Sequence, residues 1–179
     1  ATLVIAAHLY DDLVGLSPLA KLAWQCAGAA VVILPRLRGP DHGLVIEQFN
    51  SPLGGIVVLP LALAVPFTLF WIVGMMNTVN FLDGLDGLAG SVTLIAALVM
   101  FLHTFFRPAD NPQFTISLLA AALAGSVLGF LFFNWHPARI MMGDSGAMFL
   151  GYSLAVLSII GGAKIATALL VLWVPILDV

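Results

Sequence analysis

The chain alternates between long apolar blocks and short polar breaks. "ATLVIAAHLY" is apolar up to Asp11-Asp12. Ser17-Pro18 then reads as a helix start, a capping hydroxyl followed by proline at the first helical position, and the helix runs to about Leu34. Residues 35–54 are polar and turn-rich and predict a loop outside the membrane, with "VIEQF" as a short strand. A long apolar helix is expected from Gly55 to Asn80, broken by "DGLDG". Further spans are expected over Leu88–Phe106, Phe114–Phe133 and Ala147–Ile160, separated by "RPADNPQ" and "NWHPARIMMGDSG". "GGAK" turns the chain into a last apolar run ending at Val179. Several blocks reach the ~20 residues that a bilayer-spanning helix needs, and none alternates as a membrane strand would.

Composition agrees with that pattern. Of the 179 residues, 61% are hydrophobic and only 8% charged, and the mean hydropathy is +1.11. A soluble domain is nearer a quarter charged. The expected fold class is all-α, a polytopic membrane helical bundle with about six to seven spans. Residues 1–179 read as one membrane-embedded domain cut at both ends, because the first and last spans are incomplete. No signal peptide is recognisable. The lone Cys26 excludes an internal disulfide, and no basic stripe supports nucleic-acid binding.

Alternating the spans across a bilayer sorts the charges. Six of the nine acids fall on one face: Asp11, Asp12, Asp83, Asp86, Asp144 and Asp178. They read as rim residues of a site shared by several loops. The same face holds Lys21 and Arg139, whereas Arg36, Arg38, Arg107 and Lys164 fall on the other. By the positive-inside rule alone, the acidic face would lie weakly on the outside.

Carboxylates gathered with amides at a membrane rim suit a hard divalent cation and a phosphate, since Mg²⁺ takes oxygen ligands from one or two carboxylates plus substrate phosphates. In "NTVNFLDGLDGLAG", the three-residue steps place Asn77, Asn80 and Asp83 on one side of a helix end, and Gly84 and Gly87 allow unwinding. The plainer reading is an ordinary polar helix terminus. In "MMGDSGA", Gly143 and Gly146 bracket Asp144 just before a span, where free N–H groups favour anions. Asp144 or Ser145 could equally be a simple cap. Lys21 lies in a first helical turn, where the macrodipole disfavours a cation; Asp11-Asp12 or a phosphate would offset that, and snorkelling is the alternative. Gln25 shares its face. Of His8, His42, His103 and His136, the last is nearest these loops. Trp71, Trp135 and Trp173 read as interface anchors.

These three motifs, "DD…K…Q" from Asp11 to Gln25 among them, resemble the polyprenyl-phosphate N-acetylhexosamine-1-phosphate transferases over nearly the whole chain. "NFLDGLDG" and "GDSGAMFLGY" are more similar to the GlcNAc-1-phosphate branch than to the phospho-MurNAc-pentapeptide translocase branch. The resemblance implies transfer of HexNAc-1-phosphate from a UDP-sugar to undecaprenyl phosphate, with release of UMP, for cell-envelope polysaccharide. It implies Mg²⁺, or Mn²⁺ in its place, at Asn80 and Asp144, and catalysis at the lipid phosphate by Asp11, Asp12 and Lys21. It implies uracil reading by Asp86, Asp83 beside the sugar nucleotide, Asn134 in the nucleotide pocket, and Asn77 and Gly143 as further substrate contacts. Met141 stands where the translocase branch has an aromatic residue against uracil. The loops on the acidic face would be cytoplasmic, in the inner or plasma membrane, against the weak charge signal, and a homodimer is admitted. A cation-coupled transporter would need acids deep in its spans, and these lie at a rim. A CDP-alcohol phosphatidyltransferase would need an arginine after its Asp-Gly motifs, which is missing here.

Overall fold

The computed structural model describes residues 1–39, 42–50, 55–106 and 113–162. Among the described residues six α-helices carry the fold: α1 (Thr2–Val14), α2 (Pro18–Ile33), α3 (Leu61–Leu82), α4 (Leu88–Phe105), α5 (Phe114–Asn134) and α6 (Gly143–Gly161). Among the described residues, α2 with its 3-10 extension to Arg38, and α3 to α6, are long and apolar enough to cross a membrane. The chain is thus an all-α, multi-pass membrane protein. α1, at 13 residues, is shorter than these. The expected last span, with Lys164 and Asp178, lies outside the described residues, as do Asp41 and Arg107.

Helix starts follow local chemistry. Ser17 caps α2 by accepting the Ala20 N–H at 3.4 Å, with Pro18 next in the chain. The apolar run after residue 54 is not all helix, however. Ile56–Val58 (β2) pairs antiparallel with Gln48–Asn50 (β1), in the register Gln48↔Val58, and α3 begins only at Leu61. β-Branched "IVV" before Pro60 favours a strand, and hydropathy does not separate a short strand from a helix end. The strand expected in "VIEQF" is therefore shifted a few residues towards the C-terminus. The hairpin rim is tied to α3 through the Ile46 N–H, which donates to Thr68 Oγ1 at 2.8 Å.

α6 is the central helix and packs against α1, α3, α4 and α5. Its small residues make this possible. A Cβ on Gly151 would lie 2.6 Å from the Met75 carbonyl oxygen and the Met76 Cα, so α3 and α6 pass nearly backbone to backbone. The core around that crossing holds Ile72, Met76, Val79, Ala96, Leu154 and Ala155, all fully buried. Large apolar side chains also point outward, such as Leu19, Phe70, Leu118 and Phe132. Helices apolar on every side suit lipid rather than water. Two boundaries differ from expectation in ways that matter for the site. α1 continues through Asp11-Asp12 to Val14, and α6 starts at Gly143, so Asp144 lies in its first turn.

Candidate active site

Four helix ends meet at one rim. From α1, Asp11 is almost wholly buried; its Oδ1 accepts the Leu16 N–H at 2.6 Å, and its Oδ2 pairs with Lys21 Nζ at 2.6 Å. Lys21 comes from the start of α2 and also reaches Asp144 Oδ2 at 2.8 Å. The other Asp144 oxygen accepts a hydrogen bond from Asn80 Nδ2, near the end of α3, at 3.0 Å. Two carboxylates thus offset the cost of a cation near a helix N-terminus.

The two adjacent acids of α1 do different work. Asp12 is exposed, and its oxygens accept the backbone N–H groups of Asp144 and Ser145 at 3.2 Å each. It caps α6 from another helix, a role for which the sequence offered Asp144 or Ser145 as the plainer reading. Gly143 makes the approach possible: its φ is +72°, and a Cβ there would sit 3.3 Å from Asp12 Oδ2. One carboxylate oxygen from each of Asp11, Asp12 and Asp144 lies within 4.8 Å of the others. All are hard oxygen donors, a set that fits Mg²⁺ or Mn²⁺.

Asp83 closes α3 beside this group. Burial, and then the Asp144 charge, push its carboxyl up to about 6, while a backbone hydrogen bond with Gly143 acts the other way.

Beneath lies an amide layer. Gln25, one turn beyond Lys21, is 2% exposed. Its Oε1 accepts from Asn77 Nδ2 at 2.7 Å, and its Nε2 donates to Asn77 Oδ1 at 3.3 Å. Asn77 Nδ2 also donates to the Val73 carbonyl at 2.8 Å. Asn77, a substrate contact by expectation, is exposed, and its amide ties α2 to α3. The sequence placed Gln25 on the Lys21 face without a partner. The signal available was the shared one-turn spacing, Lys21 to Gln25 and Asn77 to Asn80.

A second cluster joins "DGLDG" to the loop between α5 and α6. Asp86 Oδ2 accepts the Ala138 N–H at 3.0 Å and lies 3.1 Å from His136 Nδ1. The Ala138 N–H first, and then His136, hold the Asp86 carboxyl below the usual range. Asn134 is 3% exposed. Its Oδ1 accepts the Gly87 N–H at 3.0 Å and its Nδ2 donates to the Ile140 carbonyl at 2.9 Å, so its amide locks the two loops together. Gly87 needs its positive φ of 75° to start α4 there. His136, Met141 and Arg139 are exposed at the same rim. Of the other histidines, His8 is buried in α1 with Nδ1 on the Val4 carbonyl, and His42 and His103 belong to the opposite rim.

Comparison with known proteins matches residues 1–162 to the family described as glycosyl transferase family 4. A probable undecaprenyl-phosphate N-acetylglucosaminyl 1-phosphate transferase of Bacillus subtilis is 35% identical over 184 aligned residues, covering 99% of this chain and 48% of that protein. A decaprenyl-phosphate N-acetylglucosaminephosphotransferase of Mycobacterium tuberculosis is 37% identical, covering 87% of this chain and 38% of its own length. A phospho-N-acetylmuramoyl-pentapeptide-transferase of Streptococcus suis is 39% identical, covering 81% and 41%. The chain therefore spans about half or less of the length of these relatives.

Proposed function

The chain belongs to glycosyl transferase family 4, and on that premise we propose that it carries the catalytic core of an enzyme moving HexNAc-1-phosphate, GlcNAc-1-phosphate first among the donors, from a UDP-sugar to a polyprenyl phosphate. The observation that carries this reading is the meeting of Asp11, Lys21, Asn80 and Asp144 from four different helices at one membrane rim. A cation and a phosphorylated lipid need such a place, half in water and half in hydrocarbon. Two of the relatives above are named as polyprenyl-phosphate N-acetylglucosamine-phosphate transferases.

An oxygen of the lipid phosphate attacks the β-phosphorus of the UDP-sugar. The bond from that phosphorus to the bridging oxygen breaks, UMP leaves with the electron pair, and a lipid diphosphosugar remains. Asp144 and Asn80 are the residues that would hold Mg²⁺, which supplies charge neutralisation on the diphosphate when bound. Lys21 faces the anionic reactants. A phosphate monoester with a second pKa of about 6 is mostly dianionic at neutral pH, so Asp11 or Asp12 has only a residual proton to remove. Asp86, held by Ala138 and His136, is the uracil reader, with Asp83 beside the sugar nucleotide. Asn134 acts on the nucleotide through the loops it locks. An apolar groove between α5 and α6 is lined by Leu119, Leu123, Phe130, Phe149 and Val156, together with Met142 and Gly146, each two residues from Asp144 in sequence. Its chemistry suits the hydrocarbon of the acceptor. The rim is assigned to the cytoplasm, where nucleotide sugars are made.

The test uses the full-length protein with undecaprenyl phosphate and radiolabelled UDP-GlcNAc, UDP-GalNAc and UDP-MurNAc-pentapeptide. Labelled lipid and UMP should appear together, be lost on chelation and return with Mg²⁺. Transfer from the pentapeptide donor alone would assign the chain to the translocase branch. No transfer from any UDP-sugar would overturn the reading.

A further inference from the structure

We propose that Lys21 and the divalent cation compete for the Asp144 carboxylate, so that binding the cation releases Lys21 towards the phosphate. This rests on the transferase reading above and adds an order to it: cation first, lipid phosphate second.

The hydrogen bonds of the rim leave one soft point. Asp12 is held through both oxygens by the backbone N–H groups of Asp144 and Ser145, and those cannot move without disturbing α6. Asp144 Oδ1 is held by Asn80. Asp144 Oδ2 accepts from Lys21 at 2.8 Å, with the Asp11 carboxyl also within hydrogen-bond reach of Asp144. The Lys21 side chain is about a third exposed, at 32%, and has a second carboxylate to fall back on, Asp11 Oδ2 at 2.6 Å. An ammonium on a flexible four-carbon stem can change partners easily. A divalent ion on Asp144 would place two cations on one carboxylate, and they repel. Each must therefore weaken the other, and by the same factor.

Mn²⁺ alone, without nucleotide or lipid, is the probe, added to the full-length enzyme in detergent and followed by electron paramagnetic resonance. Lys21→Met should bind Mn²⁺ about fivefold tighter. Lys21→Arg keeps the charge and should remain near the native affinity. The reciprocal arm needs no variant. Reductive methylation of Lys21 in the native protein, read by mass spectrometry against its other lysines, should quicken when Mn²⁺ is added and slow again with chelator. This arm decides if Lys21→Met does not fold. Unchanged or weaker Mn²⁺ binding in a folded Lys21→Met overturns the competition, as does Lys21 methylation indifferent to bound Mn²⁺. A native protein that binds no Mn²⁺ overturns the metal assignment and this inference with it, whereas failure of sugar transfer with both arms positive overturns only the transferase reading.

Discussion

Asp83 and Asp86 lie one turn apart in sequence, yet their surroundings push them in opposite directions. Asp83 is raised from 3.8 to about 6 by burial and by Asp144, and Asp86 is lowered by its hydrogen bonds. A carboxyl whose native value exceeds its unfolded one keeps a proton that the unfolded chain has already lost. Its contribution is therefore greatest at low pH and declines as pH rises from about 4 to about 6. Replacing Asp83 with Asn should flatten that window in thermal melts of the full-length protein between pH 4 and 7. Asp86 contributes with the opposite sign and is untouched by the substitution. An unchanged pH profile in Asp83→Asn would refute the assignment. Asn134 gives a second residue-scale prediction. Asn134→Ala would strand the Gly87 N–H and the Ile140 carbonyl, at a cost of about 1–3 kcal/mol. Denaturation should show that loss, accompanied by weaker UDP-sugar binding because both loops move. A variant of native stability would mean that the amide does not lock them.

At the scale of elements, α6 carries the site because it can approach its neighbours closely. A Cβ added at Gly151 would sit 2.6 Å from Met75 and Met76 backbone atoms, and backbone cannot yield as a flexible side chain does. Gly151→Ala should cost about 1–3 kcal/mol by overpacking, read as a lower melting temperature. The same displacement would carry Asp144 away from Asn80 and reduce Mn²⁺ affinity. A variant with native melting temperature and affinity would show that α3 and α6 do not pass backbone to backbone there. The element boundaries also show what hydropathy can resolve. "DGLDG" and Ser17-Pro18 marked helix ends well, since glycine, aspartate and a capping serine act locally. "IVV" before Pro60 reads as helix in sequence, because only its pairing with Gln48–Asn50 makes it a strand.

For the whole molecule, orientation is the quantity to test. The acidic rim has fewer Lys and Arg than the opposite one, which by charge alone puts it outside, whereas the proposed transfer from a nucleotide sugar needs it inside. Of the opposite-rim cations, Arg36 is paired with Glu47 at 2.8 Å. Leu85 and Ile56 are both exposed, at the two ends of α3. Single cysteines at these positions in a full-length Cys26→Ser background should differ with an impermeant thiol reagent on intact cells. Ile56→Cys should be labelled and Leu85→Cys should not. The reverse pattern would invert the protein and remove access to a cytosolic donor.

The sequence by itself determined the membrane class, most of the span positions and the gathering of acids on one face. Those properties depend on transfer to lipid and on alternating topology, and both can be read one segment at a time. It also singled out Asp11, Asp12, Lys21, Asn80 and Asp144, through motif resemblance and through the oddity of charge in an apolar chain. Only the tertiary structure decided how they are joined. That Asp12 caps α6, that Lys21 bridges Asp11 and Asp144, that Gln25 pairs with Asn77 and that Asn134 binds two backbones all depend on contacts between distant helices. A hydrogen bond spanning more than a hundred residues, as from Lys21 to Asp144, leaves no local period in a sequence. It arises because α6 is small-sided enough to sit among α1, α3, α4 and α5, and so bring its first turn to the ends of α1 and α3.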